Sequence, residues 1–164
     1  MKKTFIQNKS SVLKNKYKLG FTLIEMLVVI SIIGILTTLA LASFTGTQKQ
    51  ARDTRRKSDL KQYQTSLEEY ATKSSSLYPA YPTGTSADTT LCGDMSLTNC
   101  PADPKNETPY LYRYITDGTA GNTATEYSLW TTLEGKISTY WVTCSTGKVG
   151  ETATAPAGGA VCPL

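Results

Sequence analysis

The sequence predicts an α+β protein, with one long N-terminal α-helix packed on a small antiparallel β-sheet. Three observations predict it. Residues 21–44 are nearly all apolar and hold one charged side chain, Glu25. Leu60, Tyr63, Leu67 and Tyr70 then follow 3, 4, 3 spacing, one apolar stripe of a helix, and no proline occurs from Phe21 to Leu77. From Tyr110 to Cys144 the pattern changes to a period of two, broken by turn-forming residues. The expected organisation is a leader over 1–20, an apolar helix over 21–44, an amphipathic helix over 45–76 and a β head over 77–164.

Residues 1–20 are polar and show no apolar periodicity. Lys2, Lys3, Lys9, Lys14, Lys16 and Lys18 are six of the chain's 17 basic residues, and no acid accompanies them. The formal net charge of +4 therefore belongs to this leader, because the remainder holds 11 basic and 13 acidic side chains, a balance of −2. The basic character does not describe a nucleic-acid surface. Positive charge beside an apolar span keeps the N-terminus in the cytoplasm and sends the chain beyond the span outside.

Residues 21–44 would reach about 36 Å as a helix, enough to cross a bilayer with some tilt. Ser31, Gly34, Thr37, Thr38 and Ser43 interrupt the run without charge. Small residues of this kind allow helices to approach closely. An acid in such a segment costs roughly 2.5–3.5 kcal/mol, so Glu25 requires a cation nearby. Cleavage between Gly20 and Phe21 supplies one, an α-amine one helical turn from Glu25 in its own chain or in a neighbouring copy. A conventional signal-peptidase cut after Ala42, in the sequence Ala40-Leu41-Ala42, is a competing expectation.

Lys18-Leu19-Gly20, Phe21-Thr22-Leu23-Ile24-Glu25 and the apolar run behind them resemble the class III signal of type IV pilins and type II secretion pseudopilins. The resemblance covers about the first third of the chain. It implies that a membrane prepilin peptidase cuts after Gly20 and that Phe21 becomes N-methylated. Glu25 would then act in assembly, pairing with the Phe21 amine of a neighbouring subunit. The family often has a proline in the outer part of the span, and this chain has none there.

Residues 45–76 are polar with a helical period. Ala51 falls near the face of the apolar stripe. Arg52, Asp53, Arg55, Arg56 and Lys57 read as a solvated helix face or a contact with anionic lipid head groups rather than a nucleic-acid site. Asp53 and Lys57 have the spacing of an i,i+4 ion pair. Ser74-Ser75-Ser76 and the prolines at 79 and 82 end the helix.

Residues 83–109 are turn-rich. Three strands are expected next: one from Tyr110, a second over 127–133 and a third over 136–144, with Glu134-Gly135 as a turn. Ile137, Thr139 and Trp141 fall on one face of the third strand, Tyr140 and Val142 on the other. One face of the meander packs on the amphipathic helix. Strand Tyr and Trp residues read as core and sheet-face side chains rather than ligand platforms. The tail after Cys144, rich in glycine, is expected to be irregular.

Cys92, Cys100, Cys144 and Cys162 suit an oxidising space outside the membrane. They allow three pairings. The expected one is sequential, Cys92–Cys100 and Cys144–Cys162, each bridge closing a short irregular segment. The second bridge resembles the C-terminal disulfide loop of many pilins. Asp103-Pro104 through Pro109-Tyr110 resembles the approach to the first strand in major pseudopilins.

The sequence has no histidine, which excludes imidazole triads and His-ligated metal sites. Asp117, Asn122 and Glu126 place oxygen donors in a loop comparable to the calcium loop of major pseudopilins, but without the spacing of a known calcium motif; a plain turn is the expectation. Asn106-Glu107-Thr108 fits a glycosylation sequon by chance matching. No catalytic acid–base pair, cofactor or metal is expected, and the chain reads as a structural protein rather than an enzyme.

The resemblance implies a filament subunit whose partners are other pilin subunits, prepilin peptidase, the membrane assembly machinery and, before assembly, lipid. Its place would be a single-pass membrane protein with the head outside, then an extracellular pilus or a periplasmic pseudopilus. The alternatives are a minor pilin or secretion pseudopilin, and a competence or adhesion pilin binding DNA or surfaces. The negative balance after the leader argues against DNA.

Overall fold

A computed structural model describes residues 20–119, 121, 123–136, 138–158 and 162–164, without the side chains of residues 39 and 41–43. The chain divides into two compact units, residues 1–42 and 43–164.

Helix α1 runs Leu23–Lys73, 51 residues, and so contributes to both units. It ends in a left-handed turn built by serines. Ser75 and Ser76 have φ of 55° and 64°, and the Ser76 N–H donates to Ala71 O at 2.8 Å. Serine tolerates this less readily than glycine, but the paired backbone bond holds the turn.

In the second unit, Leu60, Tyr63, Leu67 and Ala71 of α1 are buried against Tyr112, Tyr114, Tyr127 and Leu129. The stripe therefore ends on Ala71 rather than on Tyr70, which is only partly buried, and Ala51 is exposed. Core tyrosines keep their hydroxyls paired, Tyr112 to Asp59 at 2.7 Å and Tyr127 to Glu68 at 2.9 Å. Such partners offset the cost of burying a phenol.

The sheet is an antiparallel meander of five strands in chain order. They are β1 Thr85–Ser86, β2 Arg113–Thr116, β3 Tyr127–Thr132, β4 Tyr140–Cys144 and β5 Val149–Thr152. Two of these strands lie outside the three expected. β1 has two residues, too few for a period, and β5 lies in the tail read as irregular. Both are edge strands, which need backbone pairing more than a buried face. Residues 87–91 form a π-helical turn and α2, Cys92–Asp94, follows it.

The first expected strand also starts later than its tyrosines suggest. Tyr110 lies outside it because β3 reaches that segment through side chains. Thr131 Oγ1 donates to Tyr110 O and Thr132 Oγ1 to Pro109 O, both at 2.9 Å. The alternation survives in Tyr112 and Tyr114, which both face α1. Trp141 packs beside α1 with Lys57 Nζ 4.1 Å from its ring centroid. Ile137 lies outside the described residues.

Cys92 bonds to Cys100 and Cys144 to Cys162. The second bridge closes the longer segment, 18 residues against 8, so it restricts the unfolded chain more. Replacing Cys144 and Cys162 together by serine is expected to cost about 2–4 kcal/mol, and replacing the other pair less. Urea unfolding followed by near-UV circular dichroism checks this; equal midpoints for parent and both double variants would contradict it.

Charges decide the remainder of the packing, and here the structure corrects the sequence reading. Arg56 is fully buried, not solvated. Its Nε donates to Asp103 Oδ2 at 2.5 Å and its Nη1 to Asp53 Oδ1 at 2.8 Å, while Nη2 lies 2.7 Å from Glu134 Oε1. Arg52 grips Glu134 with two bonds of 2.8 and 2.7 Å, and Lys105 lies 3.3 Å from the same carboxylate. Asp53 does not pair with Lys57. It accepts from Arg56 and from the backbone N–H groups of Glu134 and Gly135 at 2.9 and 2.8 Å. Lys57 goes to Glu151 at 3.2 Å. Three cations and three carboxylates thus tie α1 to the Asp103 loop and the β3–β4 turn. The Arg52 and Arg56 guanidinium groups outweigh burial and pull the Glu134 carboxyl from 4.5 down to about 2.

Candidate functional site

The candidate site lies at the start of α1, within the first unit. Gly20 is exposed, with nothing within 4 Å of where a Cβ would stand. Phe21 is 85% exposed. Thr22 is the residue before the first helical position, and Glu25 is the third residue of the helix.

These two side chains bond reciprocally. Glu25 Oε2 accepts from the Thr22 backbone N–H and from Thr22 Oγ1, both at 2.7 Å. The Glu25 N–H donates to Thr22 Oγ1 at 3.3 Å. Thr-x-x-Glu in this geometry is a capping box, and it satisfies amides that the first turn leaves without partners. The negative charge also sits at the positive end of the helix. The signal is present in Thr22-Leu23-Ile24-Glu25, but a reading that follows only the charge of Glu25 misses its spacing from Thr22. Glu25 therefore serves its own helix.

Beyond the cap, apolar side chains are exposed on every side of α1. Leu23, Ile24, Ile30, Ile35 and Leu36 are each at least 60% exposed. Ser31 and Thr37 turn their hydroxyls back onto the carbonyls of Leu27 and Ile33, at 2.8 and 2.7 Å. This satisfies the polar groups inside the helix and leaves an outer surface without strong donors. Among the described residues no helix is long and apolar enough to cross a membrane. The competing cut after Ala42 falls inside α1. The segment expected as a leader, before Gly20, lies outside the described residues.

Other sequence candidates are spent locally. Asp117 accepts from the Thr125 N–H and hydroxyl at 2.8 and 2.6 Å and from the Glu126 N–H at 2.9 Å. Burial opposes its charge, yet these bonds hold its carboxyl below the usual range. The side chain organises its own loop, while Asn122 lies outside the described residues. Among the described residues no group of three or more Cys, Asp or Glu is arranged to hold a metal ion.

No curated protein and no solved structure matches the chain. One family model does, that of the prokaryotic N-terminal methylation motif, over residues 15–41. The match begins before Gly20, contains Phe21, Thr22 and Glu25, and ends within the apolar part of α1. The chain thus carries, ahead of an α+β head of pilin-like arrangement, the N-terminal methylation signal of type IV pilins and pseudopilins.

Proposed function

We propose that this chain is the precursor of a structural subunit of a type IV pilus-like filament. The observation that carries the reading is the position of Glu25. Its carboxylate stands one turn from the Gly20–Phe21 bond, at the head of a helix whose apolar side chains are uncovered all round. The matched motif points to a structural subunit rather than an enzyme.

In this reading prepilin peptidase hydrolyses the Gly20–Phe21 bond, and the freed Phe21 amine is methylated. Lipid covers the apolar side chains first, with the head on the outer side. Assembly machinery then moves the subunit into a filament, where helices of other copies replace lipid. The Phe21 amine of one copy meets the Glu25 carboxylate of the next, and each neutralises a charge that is expensive in an apolar contact. The paired hydrogen bonds from Thr22 leave other lone pairs of that carboxylate for the incoming amine.

A DNA-binding role gains no support from the basic cluster, since Arg52 and Arg56 are committed to carboxylates. The choice between pilus and secretion pseudopilus turns on where the filament is found.

The test is the N-terminus of the protein recovered from membranes, read by mass spectrometry. The expected chain begins at N-methylated Phe21. A chain beginning at Ser43 would overturn the reading, because it would lack the anchor and Glu25. An intact Met1 in a host that processes other precursors of this type would overturn it as well.

A further inference from the structure

The sheet has two faces, and α1 covers one. On the other, the register sets Arg113 opposite Trp130 and Thr132 opposite Tyr140. The C-terminal tail covers part of this outer face. The Cys144–Cys162 bond pins it, Lys148 donates to Leu164 O at 3.1 Å, and Leu164 lies close over Gly150. Pro156 is buried.

A groove of about 470 Å³ remains between Pro156 and the loops that hold Gly84 and Pro109. Volumes of this order hold small ligands. Its floor is aromatic, made by Trp130 and Tyr140, both partly exposed. Gly84 borders the floor. Its φ is +79°, a conformation that L side chains rarely adopt, and the position of a Cβ there lies 3.7 Å from Trp130 Cη2, in ordinary contact.

Among the described residues one charge lines the groove, Arg113, and no acid does. Arg113 is exposed. The other three arginines, Arg52, Arg55 and Arg56, each pair with a carboxylate within the head. Among the described residues Arg113 alone of the four offers its guanidinium fork to a ligand. Thr83 and Thr108, also in the lining, add hydroxyls at the rim.

We propose that this groove binds an acidic saccharide. The apolar face of a sugar ring stacks on Trp130 and Tyr140, its carboxylate takes the Arg113 fork, and the rim hydroxyls meet its own. The three requirements are an apolar ring face, hydroxyls and a carboxylate within reach of Arg113. A nucleic acid meets them poorly, because its binding draws on several cations along a backbone. The outer-face Trp and Tyr are then a platform, contrary to the reading of strand aromatics as core and sheet-face residues. The inference is independent of how the N-terminus is processed.

The experiment uses the full chain in detergent micelles and follows tryptophan fluorescence. The probes are a tetrasaccharide of alternating glucuronate and N-acetylglucosamine, and a neutral N-acetylglucosamine tetrasaccharide of equal length. The acidic probe is expected to bind, to bind more weakly as salt rises, and to bind more tightly than the neutral one. Arg113→Gln, an exposed site whose change spares the fold, is expected to weaken the acidic probe about tenfold or more, and to leave the neutral probe unchanged. Tyr140→Ala is expected to weaken both. Equal binding of the two probes, no binding of either, or an unchanged affinity in Arg113→Gln would overturn the proposal. Self-association of the chain that Arg113→Gln abolishes, without saccharide binding, would overturn it in favour of a contact between copies.

Discussion

Glu25→Ala is expected to reach the membrane at the parental level and to give few or no filaments. Insertion loses nothing, because the change removes the one costly charge from the apolar segment. In the proposed filament, assembly loses the partner of the Phe21 amine. An amine left unpaired in a contact between apolar helices costs about 3–5 kcal/mol, which is on the order of a hundredfold or more in association at each contact. The capping box complicates the comparison, since Ala also removes the bonds with Thr22. Glu25→Gln separates the two roles. Glutamine can sit at the third position of a capping box, but it cannot neutralise an amine. It is expected to keep the helix start and still to assemble poorly. The measurement is the quantity of chain in sheared filaments against the quantity in membranes. Parental filament yield from Glu25→Gln would refute the charge-pairing argument, and parental yield from both variants would refute the assembly role.

Arg56→Leu is expected to be the most damaging single change in the head. It removes the guanidinium that Asp53, Asp103 and Glu134 share and leaves those carboxylates without their central cation. Breaking a buried pair in this way costs about 3–5 kcal/mol. Arg56→Lys is expected to recover only part of this. One ammonium cannot reproduce the planar fork that meets Asp103 through Nε and Nη2 at 2.5 and 3.1 Å. Urea unfolding of the parent and both variants checks the order, and an unfolding midpoint of Arg56→Leu at or above the parent's would contradict it. Acid has a related effect. The Glu134 carboxyl is held at about 2, down from 4.5. A depressed carboxyl contributes stability above its unfolded value, and that contribution is lost as pH falls through the folded value. The parent is therefore expected to lose this part of its stability between about pH 4.5 and 2. In Arg56→Lys, where Glu134 has lost part of its hydrogen bonding and is held less far below 4.5, the loss is expected to be smaller and to be complete at higher pH.

The periodic parts of the head were legible and the charged parts were not. Leu60, Tyr63 and Leu67 announce a buried stripe because apolar side chains at this spacing have one favourable position, against another element. Arg56 follows the same spacing, four residues before Leu60, yet counting apolar residues skips it. Its burial depends on Asp103 and Glu134, which lie 47 and 78 positions away in sequence. Strands β1 and β5 were missed for another reason: backbone pairing holds them, and side-chain pattern does not record it. The cap at the N-terminus is a different case, missed although it is local. Thr22 and Glu25 are neighbours on one helical turn, and their mutual bonds need no distant contact.

The linear order of residues thus determines what local chemistry can determine. It sets an apolar helix after a lysine-rich N-terminal stretch, a cap at Thr22 and Glu25, the start of the motif region, an amphipathic continuation and a strand-forming head. Each follows from spacing within a few residues, where the covalent chain itself holds the groups together. Folding decides what depends on groups far apart in sequence. It commits Arg52 and Arg56 to carboxylates and leaves Arg113 uncommitted. It also brings the tail against part of the outer sheet face, where Trp130 and Tyr140 line a groove. An arginine is the same residue in all these places, and only the acids that folding brings or fails to bring beside it decide whether it is a staple or a binding group.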